Sequence, residues 1–290
     1  MALDITVRPL HTFEEFDRCV KIAREVWGDT ELETEPHVTF VIADHLGGQV
    51  LGAFDGDLMV GFTKAYIGLH GTTPYLHSHM TGVLPSHRDR RVGRHLKLFQ
   101  REDALRRGIR LVEWTFDPLE TKNAHFNINR LGAICRRYYP NFYGITTSPL
   151  HRGIPTDRLL VEWHLDTKRV VSAINDLTPE PRDCPAHVHL PNLEPPPLPA
   201  PSSNAPPAAV AGLQTDVVVA QGDLARRSLG EGGAPSAVSA PENSAESAIL
   251  ETQTRIRKEF ADWFAKGYAV LGVRTTRSGV DYCLSPYSDF

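Results

Sequence analysis

The sequence predicts an α+β protein in which a mixed central sheet is flanked by helices. Two patterns support this fold class: short runs of alternating apolar and polar residues are typical of strands, and amphipathic stretches with helix caps lie between them. The apolar and charged contents, 41% and 23%, are those of a globular protein. A chain of 290 residues can bury a sizeable core in one or two domains.

The first half of the chain alternates strands and helices. A strand is predicted over 5–10, and Thr12 with Glu15 forms the pattern of a capping box at the start of a helix. That helix is predicted to run to Trp27 and to end at Gly28. The remaining predicted elements are a helix over 36–45, a hairpin of strands over 49–54 and 58–67, a strand over 74–83, a helix ending at 107, a strand over 111–116, a helix over 123–137 and a strand over 158–165.

A basic loop, VLPSHRDRRVGRHL, joins the strand over 74–83 to the next helix. Pro85 marks a turn, and the helix is predicted to begin close to Gly93. Such a strand, cationic loop and helix start are typical of an anion site, because free backbone N–H groups and the helix dipole point at the loop. Gly93 lets a ligand approach the backbone, and the arginines suit phosphate groups.

This loop resembles the pyrophosphate-binding loop of the GNAT acetyltransferase superfamily, whose pattern is Q/R-x-x-G-x-G/A. Arg88 matches the first position and Gly93 the second glycine, whereas Arg91 replaces the first glycine. The order of predicted elements over 5–165 also resembles the GNAT fold. The resemblance therefore implies that fold, an acyl-CoA co-substrate and transfer of the acyl group to an amine.

The resemblance places acyl-CoA along the backbone of the strand end and the loop. Asn123 resembles the asparagine that contacts the CoA arm in many members, and a simple N-cap is its alternative role. Arg91 either crowds the pyrophosphate or binds it. The other residues assigned to CoA binding are Gly82, Val83, Leu84, Arg88, Asp89, Arg90, Val92, Gly93 and Arg94.

Three side chains are candidates for the base that removes a proton from the acceptor amine. His77 and His79 lie two apart in one predicted strand, so both should point to the same face. His77 falls where the resemblance places the glutamate base of histone-type members, and a histidine near pH 7 suits that role. Glu113 on another strand is a further candidate. Each of the three could instead be an ordinary packed or surface residue.

The family's usual acid is a tyrosine about four residues before a Leu-Gly pair. Leu131 and Gly132 are present here, but Ile128 stands about where the tyrosine is expected. The thiolate could also leave with only hydrogen-bond help. The tyrosines that could substitute, or that only pack, follow closely: Tyr138, Tyr139 and Tyr143.

The composition changes after about residue 177. Residues 178–243 are rich in proline, alanine and glycine, so we expect a linker or insertion that is largely disordered. A helix is then predicted over 245–266, followed by a hairpin of strands over 268–274 and 280–284. We therefore expect a GNAT domain over 1–177, the linker over 178–243, and a helix and hairpin over 244–290 that pack on the GNAT domain.

Charge and cysteine content exclude several classes of function. A net charge of −4 argues against general nucleic-acid binding, and neither a membrane span nor a signal segment is apparent. Four cysteines are scattered without metal-ligand spacing, so we expect no metal site and buried thiols in a reducing cytoplasm. They are Cys19, Cys135, Cys184 and Cys283.

The resulting prediction is a GNAT-type N-acyltransferase that acts by direct transfer. The donor is acetyl-CoA or another acyl-CoA, and the acceptor is a small amine such as an amino acid. The layout resembles a poorly characterised bacterial subgroup, some relatives of which acylate amino acids with succinyl-CoA. The alternative is a non-catalytic acyl-CoA-binding sensor or assembly module, which the residues at 91 and 128 favour. A homodimer is left open.

Overall fold

The computed structural model describes residues 5–28, 34–144, 154–177, 181, 184, 186–193 and 244–287. A 3-10 turn covers Pro85–His87 and a π-helical turn covers Phe126–Arg130. The strands and helices are, in chain order, β1 (Ile5–Pro9), α1 (Phe13–Trp27), α2 (Val38–His45), β2 (Gln49–Asp55), β3 (Leu58–His70), β4 (Thr73–Val83), α3 (Val92–Arg106), β5 (Leu111–Phe116), α4 (Thr121–His125), β6 (Ile134–Tyr139), β7 (Arg158–His164), α5 (Lys168–Ile174), β8 (Ala186–Pro191), α6 (Ser244–Ala265), β9 (Tyr268–Thr275) and β10 (Gly279–Pro286).

The strands form one ten-stranded sheet in the order β1-β2-β3-β4-β5-β7-β6-β9-β10-β8. Neighbouring strands are antiparallel except β4 and β5, which are parallel. A mixed sheet with flanking helices confirms the predicted α+β fold class. The predicted C-terminal helix and hairpin are α6, β9 and β10, and they extend the sheet beyond β6.

The first helix illustrates how local sequence positions an element. The Thr12 hydroxyl accepts a hydrogen bond from the backbone N–H of Glu15, whose side chain accepts one from the Thr12 backbone N–H. This capping box satisfies N–H groups that a helix start otherwise leaves free. Gly28 ends the helix in the left-handed conformation, with φ of 65°. Both predicted signals are confirmed.

The predicted helix over 123–137 is wrong in its second half. The helical segment ends with the π-helical turn, and Gly132 then adopts a left-handed φ of 74°. A Cβ at Gly132 would lie 2.8 Å from the Ala173 Cβ, so the turn can pack only as glycine. The chain continues as β6, which pairs with β7 and supplies buried Ile134 and Cys135 to the core. Helix α5 has no counterpart among the predicted elements.

Part of the predicted linker is ordered, so the linker prediction is wrong over Ala186–Pro191. These residues form β8, which pairs with β10 and buries Val188 and Leu190. Its side chains alternate between buried and more exposed positions, as in a strand with one face on the core. Apart from 181, 184 and 186–193, the predicted linker lies outside the described residues.

Two of the four predicted thiols are instead joined by a disulfide. Cys184, just before β8, is bonded to Cys283 of β10, and the two Cα atoms are 5.0 Å apart. The pairing of β8 with β10 brings these cysteines together across a sequence separation of 99. Cys19 and Cys135 are free and buried. None of the helices described is both long and apolar enough to span a membrane.

The apolar side chains form two clusters, which meet where β4 adjoins β5. One cluster, the N-terminal core, contains residues of β1–β4 and α1–α3, such as Phe16, Phe40 and Phe62. The other, the C-terminal core, is built mainly on β5–β10 and α6 and includes Trp163 and Phe260. The sheet is therefore continuous, but its two halves pack largely on separate cores.

Candidate functional site

The boundary between the two cores is an opening in the sheet. Strands β4 and β5 pair only at Leu76 with Val112 and at His77 with Glu113. Beyond these positions β4 continues along β3, and β5 continues along β7. Residues 78–83 and 114–116 therefore have no partner across the gap, which we call the wedge. Backbone groups of β4 that face the wedge are available to an extended ligand.

A β-bulge lies at the closed end of the wedge. Lys64 of β3 pairs with Met80, and Ala65 pairs with Ser78, so His79 is the extra residue on β4. The His79 ring lies 6.0 Å from the ring of Tyr66, which is also the β3 partner of His77. Bulges bend a strand and re-aim a side chain, which here brings His79 to the wedge.

The open end of the wedge leads to the basic loop. Helix α3 begins at Val92 without a side-chain cap, and its N-cap residue Arg91 has φ of 64° and ψ of 8°. Asp89 also has a positive φ, of 59°. A glycine adopts this left-handed backbone without strain, which explains why the motif usually has glycine where Arg91 stands. The free N–H groups at the start of α3 are donors of the kind that bind anions at helix starts.

The side chains of the predicted loop residues divide into three groups. Leu84 and Val92 are buried in the N-terminal core, and Gly82 is held by packing, because an added Cβ would lie 3.1 Å from the Trp27 ring. Arg88 donates to the Val83 and Val26 carbonyls at 3.4 Å. Three exposed residues remain on the loop, and within the described structure the two arginines among them have no hydrogen-bond or ion-pair partner: Asp89, Arg90 and Arg91.

The other predicted CoA contacts, Gly93, Arg94 and Asn123, have different surroundings in the structure. At Gly93 an added Cβ would meet only the Val83 Cγ2, at 4.0 Å, so the space above this glycine is open. Arg94 points away from the loop and donates to the Ile174 carbonyl at the end of α5. Asn123 is exposed as the third residue of α4, whose N-cap is Glu120, so the N-cap alternative for Asn123 is wrong.

His79 belongs to a charged group that sequence analysis did not identify. Its Nε2 is in short contact with one carboxylate oxygen of Glu35, and the Lys64 ammonium contacts the other. Lys64 is fully buried and also donates to the Thr39 hydroxyl at 3.0 Å. Burial raises the pKa of Glu35, but hydrogen bonds from His79 and Lys64 outweigh it, and its pKa falls to about 2. Glu35 is thus a fixed carboxylate that orients the His79 ring.

His77 has a different environment, although it lies on the same strand. It makes no side-chain hydrogen bond within the described part of the chain. Burial, with the positive charges of His79 and Lys97, lowers the pKa of His77 to about 4. At neutral pH the ring is therefore uncharged and a weak base.

The remaining two predicted catalytic residues lie on the β5 side of the wedge. Glu113 is 3% exposed and accepts hydrogen bonds from Arg137 at 3.0 Å and from His70 at 3.1 Å. It is therefore an occupied structural carboxylate rather than a free base. The Tyr143 hydroxyl is 3.1 Å from the hydroxyl of Thr115, which lines the wedge.

Comparisons with known proteins give structural matches only. Neither a family model nor a curated protein matches the chain. The ribosomal-protein-S18-alanine N-acetyltransferase of Escherichia coli matches with 13% identity and a TM-score of 0.46, over 56% of this chain and 95% of that one. Arabidopsis thaliana NAA60, solved with acetyl-CoA, matches with 17% identity and a TM-score of 0.45, over 55% and 99%. A metagenomic aminoglycoside acetyltransferase solved with sisomicin matches with 12% identity and a TM-score of 0.38, over 42% and 84%.

The order of elements in this sheet resembles that of the GNAT fold. Over β1 to β7 the elements follow the order that the resemblance implied, with β6 added where a helix was predicted. Likeness at these identities and TM-scores assigns no activity.

The structure also brings a buried lysine to the wedge. Lys97 of α3 is 4% exposed and donates to the Ser78 hydroxyl at 2.8 Å and the Gln100 side chain at 3.0 Å. Its ammonium lies 4.1 Å from the Trp114 ring centre on β5. Burial lowers the pKa of Lys97 to about 7. The sequence could have indicated that Lys97 is buried, because it shares the buried stripe of α3 with Gln100 and Ala104. Glu35 lies in a loop, where no such pattern exists.

Among the described residues, no group of three or more histidine, cysteine, aspartate or glutamate side chains is placed to hold a metal ion.

Proposed function

We propose that this protein is an acyl-CoA-dependent N-acyltransferase. The observation that carries the proposal is the wedge, which runs from the bulge at His79 to the uncapped start of α3. An extended thioester arm can pair with the free edge of β4, while a pyrophosphate is held at the helix start. A simple charged turn would explain the loop but not the separated strands that lead to it.

The residues present fit a CoA molecule in this position. The backbone at 81–83 offers edge hydrogen bonds to the arm, and the N–H groups of Val92, Gly93 and Arg94 offer donors to phosphate. Gly93 leaves open space directly above the helix start. Arg90 and Arg91 are exposed beside it and can pair with phosphate oxygens. Asn123, exposed on α4, is the remaining candidate contact.

His79 is the base that this geometry favours. Direct transfer requires a neutral amine, whose nitrogen attacks the thioester carbonyl while the carbon–sulfur bond breaks and CoA leaves as a thiolate. His79 removes the proton from the acceptor ammonium, either directly or through one water. Glu35 holds the ring and stabilises the imidazolium that results. We assign return of a proton to the thiolate to Tyr143, which bonds Thr115 beside the wedge.

The donor is acetyl-CoA or succinyl-CoA, and the acceptor is a small amine. The alternative of a non-catalytic acyl-CoA binder rested on Arg91 and Ile128. Arg91 has the backbone conformation of a glycine and an exposed side chain, so it leaves the helix start accessible. Ile128 is buried in the core and cannot serve as an acid, so a transferase needs an acid elsewhere.

The test combines CoA binding with acceptor-dependent release of the CoA thiol. We expect binding of acetyl-CoA or succinyl-CoA by calorimetry, and thiol release with a pool of amino acids and small amines. Gly93→Leu should weaken CoA binding at least about tenfold, since its side chain would fill the space for phosphate. Glu102→Leu, on an exposed position of the same helix, is the matched control. If CoA binds but no donor and acceptor pair releases its thiol, the protein is the non-catalytic binder. If CoA does not bind, both the transferase and the binder are rejected.

A further inference from the structure

Two buried carboxylates lie side by side on the face of the sheet that also carries His77. Glu113 of β5 and Glu162 of β7 are register partners and are 3% and 2% exposed. Their neighbours Val112, Trp114, Val161 and Trp163 point into the C-terminal core, so alternation places the two glutamates on the opposite face. Like charges directly opposite one another repel, and this pair needs cations between them.

Arg137 of β6 supplies the bridging cation. Its Nη2 donates to Glu113 at 3.0 Å and lies 3.6 Å from Glu162. Both contacts use the same nitrogen, and among the described residues Nη1 and Nε have no partner. The Arg137 side chain remains 43% exposed. The two glutamates therefore hold one nitrogen of a guanidinium whose side chain is still partly exposed.

We use the name Arg137 surface for this guanidinium together with the stacked rings of His70 and Tyr75, which lie close to Glu113. Tyr75 stacks on His70 with ring centres 4.1 Å apart and an angle of 7° between the rings. Gly68 makes this possible, since a Cβ there would lie 2.5 Å from the Tyr75 ring. Both aromatic rings lie near Glu113. His70 bonds that carboxylate. Burial raises the pKa of Tyr75, and the negative charge of Glu113 raises it further.

The strand register relates the Arg137 surface to His79. Glu113, which holds Arg137, is in register with His77, and His79 is two residues further along β4. Along the strand direction, at about 3.4 Å per residue, the two levels are about 7 Å apart, and the lateral separation of β4 from β5 adds to this distance. An acceptor that reaches both groups carries its amine and its carboxylate at opposite ends.

We propose that Arg137 binds the carboxylate of the acceptor, so that the acceptor is a free amino acid or a similar amino carboxylate. This inference rests on the proposed transferase function and names its substrate class. Arginine presents planar donors that match a carboxylate, and hydrogen bonds between two charged groups are the stronger kind.

A polycationic amine suits the Arg137 surface poorly. The two glutamates that could attract it are buried and already paired with Arg136, Arg137 and His70. The exposed group beside them is a guanidinium, which would repel an ammonium. The charge of the Arg137 surface therefore favours an anionic group on the acceptor.

The test compares each amino acid with the amine that lacks its carboxylate, using the acyl donor identified by thiol release. In the wild type we expect the amino acid to have the larger kcat/KM. Arg137→Gln should lower the ratio of the two kcat/KM values by about 10- to 100-fold, mostly through KM, because a charge-assisted hydrogen bond is lost. Turnover of the amine that lacks the carboxylate should persist, which shows that the variant is folded.

Arg110→Gln is the matched control, because Arg110 is an exposed arginine paired with Asp166 at the start of β5. It should leave the ratio unchanged. The inference is overturned if the wild type prefers the amines without a carboxylate, or if Arg137→Gln lowers turnover of both substrates equally.

Failure of the proposed transferase function gives a different result from failure of the Arg137 proposal. In that case CoA binds but no amine supports thiol release. Calorimetric titration of amino acids into the CoA complex then decides the role of Arg137. Binding that is lost in Arg137→Gln supports the carboxylate site, and absence of amino-acid binding to the wild type overturns it.

Discussion

The two halves of the sheet differ in how they are built and in what they bring to the wedge. The N-terminal half contains consecutive strands, β1 to β4, covered by helices from the same part of the chain. The C-terminal half combines β5 to β7 with strands from the end of the chain, and α6 packs in its core. Only two register pairs join β4 to β5, at His77 and its neighbour Leu76. Side-chain contacts such as His70 with Glu113 and Lys97 with Trp114 also link the halves.

This weak junction explains why the wedge can stay open without loss of either core. Each half buries its own apolar residues, so closing the gap would add few contacts. The N-terminal half contributes the bulged His79, Glu35 and the basic loop. The C-terminal half contributes the Glu113 and Glu162 pair with Arg137. The proposed chemistry therefore needs one half for the donor and base, and the other for the acceptor.

The largest expected effect comes from the base in the N-terminal half. His79→Gln should lower kcat by about 10²- to 10⁴-fold with little change in CoA affinity, because it removes proton transfer but retains a partner for Glu35. His77→Gln is the matched variant on the same strand. It should lower kcat less than about tenfold, because burial leaves His77 a weak base with pKa about 4.

Steady-state kinetics and CoA titrations of the two variants measure this difference. A large loss in His77→Gln with little in His79→Gln would make His77 the base and would give Glu35 a structural role only. Small and equal losses of kcat in the two variants would mean that neither histidine is the base, and that the base lies in the C-terminal half.

An intermediate effect is expected at the contact between the two halves, where Lys97 bonds Ser78 of β4 and lies on Trp114 of β5. Burial lowers its pKa to about 7 in the folded protein, whereas an unfolded lysine has a pKa of about 10.4. Between these values the unfolded chain binds more protons, so the contribution of Lys97 to stability rises with pH. The free energy of unfolding of the wild type, relative to Lys97→Met, should rise from pH 7 to pH 10 by up to about 1.4 kcal/mol per unit.

Urea unfolding of both proteins at several pH values checks this slope. The sign of this pH dependence distinguishes burial from ion pairing. A lysine stabilised by an ion pair would have a raised pKa, and its contribution to the free energy of unfolding would be lost as pH rises. A difference between the two proteins that stays constant with pH would mean that Lys97 keeps its ordinary pKa and is solvated.

Sequence was sufficient where the structure depends on neighbouring residues. The capping box of Thr12 and Glu15, the left-handed Gly28 and the basic loop all act within a few residues, and the structure contains each one. The GNAT order of elements was likewise predictable, because most of its strands and helices have strong local patterns.

Sequence was insufficient where distant segments decide the outcome. Strand β8 lies in proline-rich sequence and is ordered by pairing with β10, and Cys184 meets Cys283 only through that pairing. Similarly, Glu35 reaches His79 from a loop, and Arg137 reaches Glu113 from a strand that was predicted as a helix. The candidate site is therefore less predictable than the fold, since it is made of such long-range contacts.

The smallest expected effect is at Arg91, where the N-terminal half departs from the family's glycine. Arg91→Gly should raise the free energy of unfolding by about 1 kcal/mol or less, because relief of a left-handed arginine is partly offset by the greater freedom of glycine in the unfolded chain. The same change should weaken CoA binding a few-fold if the exposed side chain pairs with phosphate. Thermal unfolding and CoA titration separate the two effects. Tighter CoA binding in Arg91→Gly would instead mean that the side chain crowds the pyrophosphate, and that the strained arginine limits donor binding.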